Sequence, residues 1–127
     1  MSTNLRYQRV LLKISGEALK GEREFGYDPA AVEATVARIS EARDLGVQIA
    51  LVVGAGNIWR GASAAEMDRV TADHMGMLGT VMNALRLKDA FQKAGIPVNV
   101  HASADLRPFA PRSTATPRWT SFPAPRS

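Results

Sequence analysis

With 127 residues, 46% of them hydrophobic, the chain is long enough for one modest core and belongs to the globular rather than the disordered class. It has no cysteine, which excludes a disulfide framework and a thiolate metal site. No apolar run approaches the roughly 18 residues of a membrane span. We therefore expect a one-domain, cytoplasmic protein without membrane contact. The net charge of +4 lies mostly in residues 105–127, where four arginines stand against one acid, and the nearly neutral remainder gives no sign of a nucleic-acid partner.

The first predicted element is a strand within residues 7–16. Its apolar run carries Lys13 near the end and leads into Ser15 and Gly16. A lysine at a strand terminus beside a glycine turn can place its ammonium group over a phosphate, although a surface lysine on an edge strand would give the same pattern. The Walker sequence Gly-x-x-x-x-Gly-Lys-Ser/Thr is absent, which excludes a P-loop.

A loop, a helix and a second strand should follow. Residues 21–26 are charged and bounded by glycines, which predicts an exposed loop or hairpin. Asp28 and Pro29 predict a helix start, and Gly46 predicts its end. One apolar face appears at helical spacing: Val32, Val36 and Ile39. The order strand, loop, helix, strand predicts a right-handed parallel crossover.

The second strand is predicted at residues 49–53, and it runs directly into a glycine-rich turn. The turn has the sequence Gly54-Ala55-Gly56 and is followed by a polar tip that contains Asn57 and Arg60. Bare backbone N–H groups together with a guanidinium group suit phosphate oxygens. An ordinary strand-to-helix turn remains the alternative, because a lone Gly-x-Gly is weak evidence.

One long helix is predicted over residues 67–94, ended by Gly95 and followed by a third parallel strand at residues 96–101. Glycines 76 and 79 inside the helix predict a kink or a close approach. We expect burial on more than one side, because apolar residues spread around the helix: Leu78, Val81, Met82 and Leu85, with Met75 and Met77.

The most unusual cluster of this helix contains Asp73 and His74. The Asp73 carboxylate can accept two hydrogen bonds from a ribose diol, whereas His74 suits a ligand, a base or a structural donor. We favour a half-buried, structural histidine. No second histidine or carboxylate stands at helical metal-ligand spacing from it, so we expect no metal site built by the protein.

Three segments together resemble the bacterial uridylate kinases (UMP kinases), a branch of the amino-acid kinase superfamily. They are VLLKISGEAL at 10–19, VVGAGNIWRG at 52–61 and MDRVTADHMGMLGTVMNA at 67–84, and the match covers about residues 7–103 in uninterrupted order. The third segment separates this branch from carbamate, aspartate and acetylglutamate kinases. The resemblance implies an α/β fold, a three-layer α/β/α sandwich with a mainly parallel sheet, and an allosteric homohexamer. It also implies transfer of the ATP γ-phosphoryl group to UMP, giving UDP in pyrimidine nucleotide synthesis.

The resemblance also implies residue roles. The ATP phosphates would be lined by Lys13, Ile14, Ser15, Gly16, Gly56 and Arg60. Lys13 would stabilise charge on the transferred group, while Ala55 and Asp73 would face UMP, and Mg²⁺ would arrive on ATP. UTP is implied as an inhibitor. The loop that in many relatives responds to the activator GTP corresponds to Gly21, Glu22, Arg23, Glu24, Phe25 and Gly26.

Two features depart from the family pattern. Ala55 stands where the family usually has a glycine, so a methyl group is expected near the UMP phosphate and a slightly displaced acceptor follows. Residues 1–104 would form the N-terminal part of the kinase domain, whereas residues 105–127 hold five of the seven prolines and should be disordered. This pattern suggests a truncated or frame-shifted copy, because relatives continue for roughly as much chain again.

Other functions stay open at this point. A second kinase of the same superfamily, acting on a carboxylate or carbamate, would share the two glycine turns. A non-enzymatic remnant that joins the oligomer of an intact partner would also fit. A dinucleotide-binding Rossmann domain fits poorly, because Gly-x-Gly-x-x-Gly and the acid that follows it are missing.

Overall fold

The computed structural model describes residues 5–59 and 66–102. Within them two strands, two helices and one short 3₁₀ helix follow each other in the order β1, 3₁₀ helix, α1, β2, α2. Their bounds are Arg9–Ile14 for β1, Gly16–Leu19 for the 3₁₀ helix, Pro29–Asp44 for α1, Gln48–Val53 for β2 and Arg69–Lys93 for α2. None of the helices in these residues is long and apolar enough to cross a bilayer.

The two strands pair in parallel, as predicted, and α1 connects them. Their register runs from Arg9 opposite Gln48 to Ile14 opposite Val53. One face of this sheet packs against the helices, and the other face leaves Leu11 and Val52 exposed. The described residues therefore form two layers of the expected α/β/α sandwich, the sheet and the helices on one side.

Helix α1 begins and ends at the predicted residues. The Asp28 carboxylate accepts a hydrogen bond from the Ala30 N–H at 3.2 Å, and Pro29 occupies the first turn, where its missing N–H costs nothing. After the helix, Gly46 adopts a φ of +98°, a conformation that a side chain disfavours.

The predicted apolar face of α1 forms one side of the core, together with the C-terminal half of α2. The buried members of this core are Leu19, Val32, Val36, Ile39, Leu87 and Phe91. Side chains from both strands pack onto it, which ties each helix to the same sheet face. The core thus lies between the sheet and the two helices.

The apolar face predicted for α2 was confirmed only in part. Val81 is half-buried and packs against Val100 and Ala102, away from the buried stripe that contains Gly79, so the helix is packed on more than one side. In the structure Leu78 is 51% exposed and Met82 is 52% exposed. A different stripe is buried: Ala72, Gly79, Asn83, Leu87 and Phe91. Its spacing is helical, but a glycine and an asparagine are part of it, so a count of apolar residues selects the neighbouring face instead.

The prediction of a third parallel strand was wrong. Residues 96–101 lie outside any strand, and β1 and β2 are the sheet strands of the described part of the chain. Burial nevertheless alternates along this segment, and Val100 and Ala102 pack with Val81 and Ala84 of α2. Side-chain packing against a helix produces the same alternating pattern as a strand, which explains the wrong prediction.

Candidate functional site

The carboxyl ends of β1 and β2 bring the two glycine turns into contact. The Gly54 N–H donates to the Ile14 carbonyl at 3.0 Å, which extends the pairing of the strands into the turns. A Cβ placed on Gly16 would lie 2.6 Å from the Gly54 carbonyl oxygen and 2.9 Å from the Gly56 nitrogen. Only glycine fits there, because these backbone atoms cannot move aside.

Lys13 lies at this edge, one residue before the end of β1. Its side chain is exposed on the sheet face that the helices leave uncovered, opposite Val52 of β2. Ser15 Oγ accepts a hydrogen bond from the Glu17 N–H at 3.1 Å and so caps the 3₁₀ helix. Its hydroxyl proton stays available for an anion, since only a lone pair is used in the cap.

The second turn holds its shape through backbone hydrogen bonds. The Ala55 carbonyl accepts from the N–H groups of Ile58 and Trp59, at 2.9 and 2.8 Å. Within residues 5–59 and 66–102, the Ala55 N–H donates no hydrogen bond, which suits a donor kept for a ligand. Arg60, the predicted guanidinium contact, lies outside the described residues.

A buried pair of amides, Asn57 and Asn83, anchors this turn to α2. Asn57 is 2% exposed and Asn83 is 0% exposed. Asn83 Nδ2 donates to the Gly54 carbonyl at 2.7 Å and to Asn57 Oδ1 at 2.8 Å, while Asn57 Nδ2 lies 3.3 Å from Asn83 Oδ1. Buried amides without partners would be costly, so this pairing fixes the turn at one position.

The same amide pair reaches the charged loop. Asn57 Nδ2 donates to the Gly26 carbonyl at 3.0 Å, and the Gly26 N–H donates to the Asn57 carbonyl at 2.7 Å. The Tyr27 hydroxyl donates to Asn83 Oδ1 at 2.7 Å. Burial raises the pKa of Tyr27, and the positive charge of Arg86 offsets part of that rise. The end of the loop is therefore joined to the glycine turn by side-chain and backbone hydrogen bonds.

The loop at residues 21–26 is exposed, as predicted. Its fixed points are the glycines at its ends, which have φ angles of +57° and +84°. A side chain on Gly21 would also collide with the Asp28 carboxylate, 2.5 Å from the Cβ position. Between these ends the side chains of residues 22–25 are exposed to solvent, and Phe25 is the large apolar one among them.

Asp73 lies near the start of α2, on the exposed side. Its carboxylate accepts a hydrogen bond from Arg69 Nε at 3.2 Å, one helical turn away. The Trp59 indole N–H donates to the Ala72 carbonyl at 2.9 Å, which ties the residue before Asp73 to the end of the glycine turn. His74 is exposed, so the prediction of a half-buried histidine was wrong.

Sequence reasoning missed the structural role of Asn83 and Tyr27. An asparagine inside the apolar part of a long helix was the available signal, because such a residue is favoured there only when its amide has partners. Asn57 was visible as a polar residue after the glycines, but its partners lie 26 and 31 residues away. Spacing along the chain cannot reveal such contacts.

The arrangement suits an anion better than a metal ion held by the protein. Lys13, the Ala55 N–H and the Ser15 hydroxyl all belong to residues at this end of the two strands, and these groups are donors rather than metal ligands. In the part of the chain that the structure describes, no three His, Cys, Asp or Glu side chains are placed to share a metal ion. An edge lined by donors is compatible with a Mg²⁺ ion that is carried by a nucleotide phosphate.

Comparisons with known proteins give a consistent result. The sequence model of the amino acid kinase family matches residues 8–118. Two uridylate kinases from Limosilactobacillus reuteri, one of them from strain DSM 20016, are similar to this chain. They are 49% and 47% identical over 109 and 110 residues, which is 84% and 85% of this chain but 45% and 46% of theirs.

Solved structures show the same partial match. The UMP kinase from Bacillus anthracis superposes with a TM-score of 0.78 at 36% identity, over 82% of this chain and 44% of that one. The UMP kinase from Ureaplasma parvum has a TM-score of 0.79 at 32% identity, over 87% and 47% of the two chains. The chain therefore has the α/β fold of these kinases but spans less than half the length of the relatives it matches.

Proposed function

This chain belongs to the amino acid kinase family, and we propose that within it the chain carries the phosphate-binding and acceptor-binding part of a UMP kinase. Such an enzyme transfers the γ-phosphoryl group of ATP to UMP. A phosphate oxygen of UMP forms the new bond to the γ-phosphorus, the bond to the β–γ bridging oxygen breaks, and UDP and ADP result. The names of the similar proteins support this substrate assignment.

One observation carries the proposal. Two glycine turns meet at the carboxyl edge of parallel strands, with a lysine on the first strand and an aspartate on the helix that follows the second turn. Ligands of open α/β sheets bind at this edge, where backbone N–H groups can approach phosphate oxygens without a side chain between them. The amide pair of Asn57 and Asn83 keeps that edge fixed before any ligand arrives.

The proposed roles follow from charge and position. Lys13 stabilises the charge that develops on the transferred phosphoryl group, and residues 14–16 and 56 line the ATP phosphates. The Ala55 N–H binds the UMP phosphate, and Asp73 accepts hydrogen bonds from the ribose hydroxyls. Mg²⁺, bound to ATP, neutralises phosphate charge when the substrate is present.

Finer features of a UMP kinase are also part of the proposal. The exposed apolar side chains on α2, Leu78 and Met82, support an assembly in which a second copy covers them, and a homohexamer is the proposed form. The loop at residues 21–26 is the proposed site of the response to the activator GTP, and UTP is the proposed inhibitor. The proposed location of the protein is the cytoplasm. The boundary at residue 104 and the disordered tail remain predictions, because residues 103–127 lie outside the described part.

Ligand titration tests the proposal on the chain itself. We expect UMP to bind saturably in a calorimetric or NMR titration, and aspartate and N-acetylglutamate not to bind. The carboxylates represent the alternative, a kinase of the same family that phosphorylates small acids. Saturable binding of either acid, with no binding of UMP, would replace the proposal by that alternative.

A further inference from the structure

Ala55 and Gly79 meet where the glycine turn contacts helix α2. A Cβ placed on Gly79 would lie 2.9 Å from the Ala55 Cβ, well inside the ~3.5–4.0 Å at which carbon atoms pack. The same position is an ordinary 3.9 Å from Ile58, so Ala55 is the neighbour that excludes a side chain. The absence of a side chain at Gly79 of α2 therefore leaves room for the Ala55 methyl group of the turn.

The turn is held between glycines from two different elements. On one side the turn packs against Gly16, where an added Cβ would lie only 2.6 Å from the Gly54 carbonyl oxygen. On the other side the Ala55 methyl group lies against Gly79. The Ala55 carbonyl is occupied within the turn by Ile58 and Trp59. The methyl group is thus accommodated by the helix, while the turn itself has little freedom to move.

We infer that Ala55 and Gly79 form a complementary pair that sets how closely the glycine turn approaches α2, and hence where the Ala55 N–H stands relative to Asp73. The inference rests on the proposed function, in which these two groups bind UMP. Because the Ala55 methyl group packs on Gly79, an alanine at this position is compatible with an undisplaced acceptor phosphate. Gly79 is then a positioning residue, because it acts on the acceptor through Ala55.

Exchange of the two side chains tests the pair in the 127-residue chain. All variants carry Trp119→Phe, which leaves Trp59, at the end of the turn, as the remaining tryptophan. Gly79→Ala forces two methyl groups together, so we expect a Tm lower by several degrees and a shifted Trp59 emission. Adding Ala55→Gly removes the overlap and should restore both.

Gly76→Ala is the matched control within the same helix. A Cβ at Gly76 would lie 3.7 Å from Trp59 Cδ1, which is an ordinary contact. Alanine is favoured over glycine inside a helix, so this variant should hold or raise the Tm. A lower Tm in Gly79→Ala alone therefore reports the contact with Ala55 rather than a general effect of alanine in α2.

UMP titrations connect the pair to the ligand. We expect Gly79→Ala to weaken UMP binding by about tenfold or more, and the double variant to recover it. A Gly79→Ala chain with the parent Tm and emission, or a double variant that recovers neither, overturns the inference. If the parent chain binds no UMP, the proposed function fails, while Tm and emission still decide whether the two residues constrain each other.

Discussion

Asp73 and Lys13 are expected to act on different quantities, one on binding and the other on rate. Asp73→Asn removes a charged acceptor for the ribose hydroxyls, and a hydrogen bond to a charged group is worth about 1.5–3 kcal/mol. UMP binding should therefore weaken by tenfold or more, with ATP binding little changed. The ion pair with Arg69 is exposed and contributes little to stability, so the Tm should hold. Equal losses for both nucleotides in separate titrations would remove Asp73 from the UMP site.

Lys13 should affect the transition state more than substrate binding. In a chimera completed with the C-terminal half of a uridylate kinase relative, we expect Lys13→Ala to lower kcat by ~10² or more and to change the KM for UMP little. Lys93→Ala is the control, since that exposed lysine pairs with Asp89 at the far end of α2. Normal turnover in Lys13→Ala would exclude Lys13 from the mechanism.

At the scale of elements, α1 and α2 differ in how far their structure could be predicted from the sequence. The start, end and buried face of α1 could be predicted because each depends on neighbouring residues: the cap at Asp28, the proline after it, and apolar residues at helical spacing. The part of the buried face of α2 that contains Gly79 and Asn83 depends on contacts with the glycine turn. Asn83 is buried because Gly54, Asn57 and Tyr27 surround it, and although an asparagine in this part of the helix signals that its amide has partners, the neighbouring sequence does not identify them.

The candidate site divides in the same way. Its backbone features, the two glycine turns at parallel strand ends, could be predicted because strand pattern and glycine position are local signals. The contact of Gly79 with Ala55 was predicted only as a close approach without a named partner, and the contact of Gly16 with the second turn was not predicted. The partners of Gly79 and Gly16 lie 24 and 38 to 40 residues away along the chain, so the fold has to bring them together.

Tyr27 provides a test of the network that joins the loop, the turn and α2. Its pKa is raised from the ordinary value of 10.0 by burial, so the folded state favours the neutral phenol that donates to Asn83. Its contribution to the free energy of unfolding is complete below about pH 10 and is lost as the pH rises through the higher folded pKa.

The corresponding measurement compares Tyr27→Phe with the parent chain. Below about pH 10 the parent should be more stable by about 1 kcal/mol, the usual net value of one hydrogen bond, and this difference should shrink at higher pH. Denaturant unfolding at several pH values measures it, with Tyr7→Phe, an exposed tyrosine, as control. A difference that stays constant across pH 10 would contradict the assigned role of the Tyr27 hydroxyl.

For the whole molecule, the main feature of the described residues is a sheet face that their helices leave uncovered. Leu11 and Val52 are exposed on that face, beside Lys13. The relatives extend over more than twice the matched length. Phosphoryl transfer requires both nucleotides in line, and this chain is proposed to hold their phosphates and the UMP ribose only.

UDP formation from UMP and Mg-ATP tests the central claim most directly. We expect no steady UDP formation by the purified 127-residue chain, and steady UDP formation by the chimera completed with the C-terminal half of a uridylate kinase relative. The chimera should form no acyl phosphate from aspartate. The account would be contradicted by turnover that co-elutes with the 127-residue chain alone, or by a folded chimera that phosphorylates the acid and not UMP.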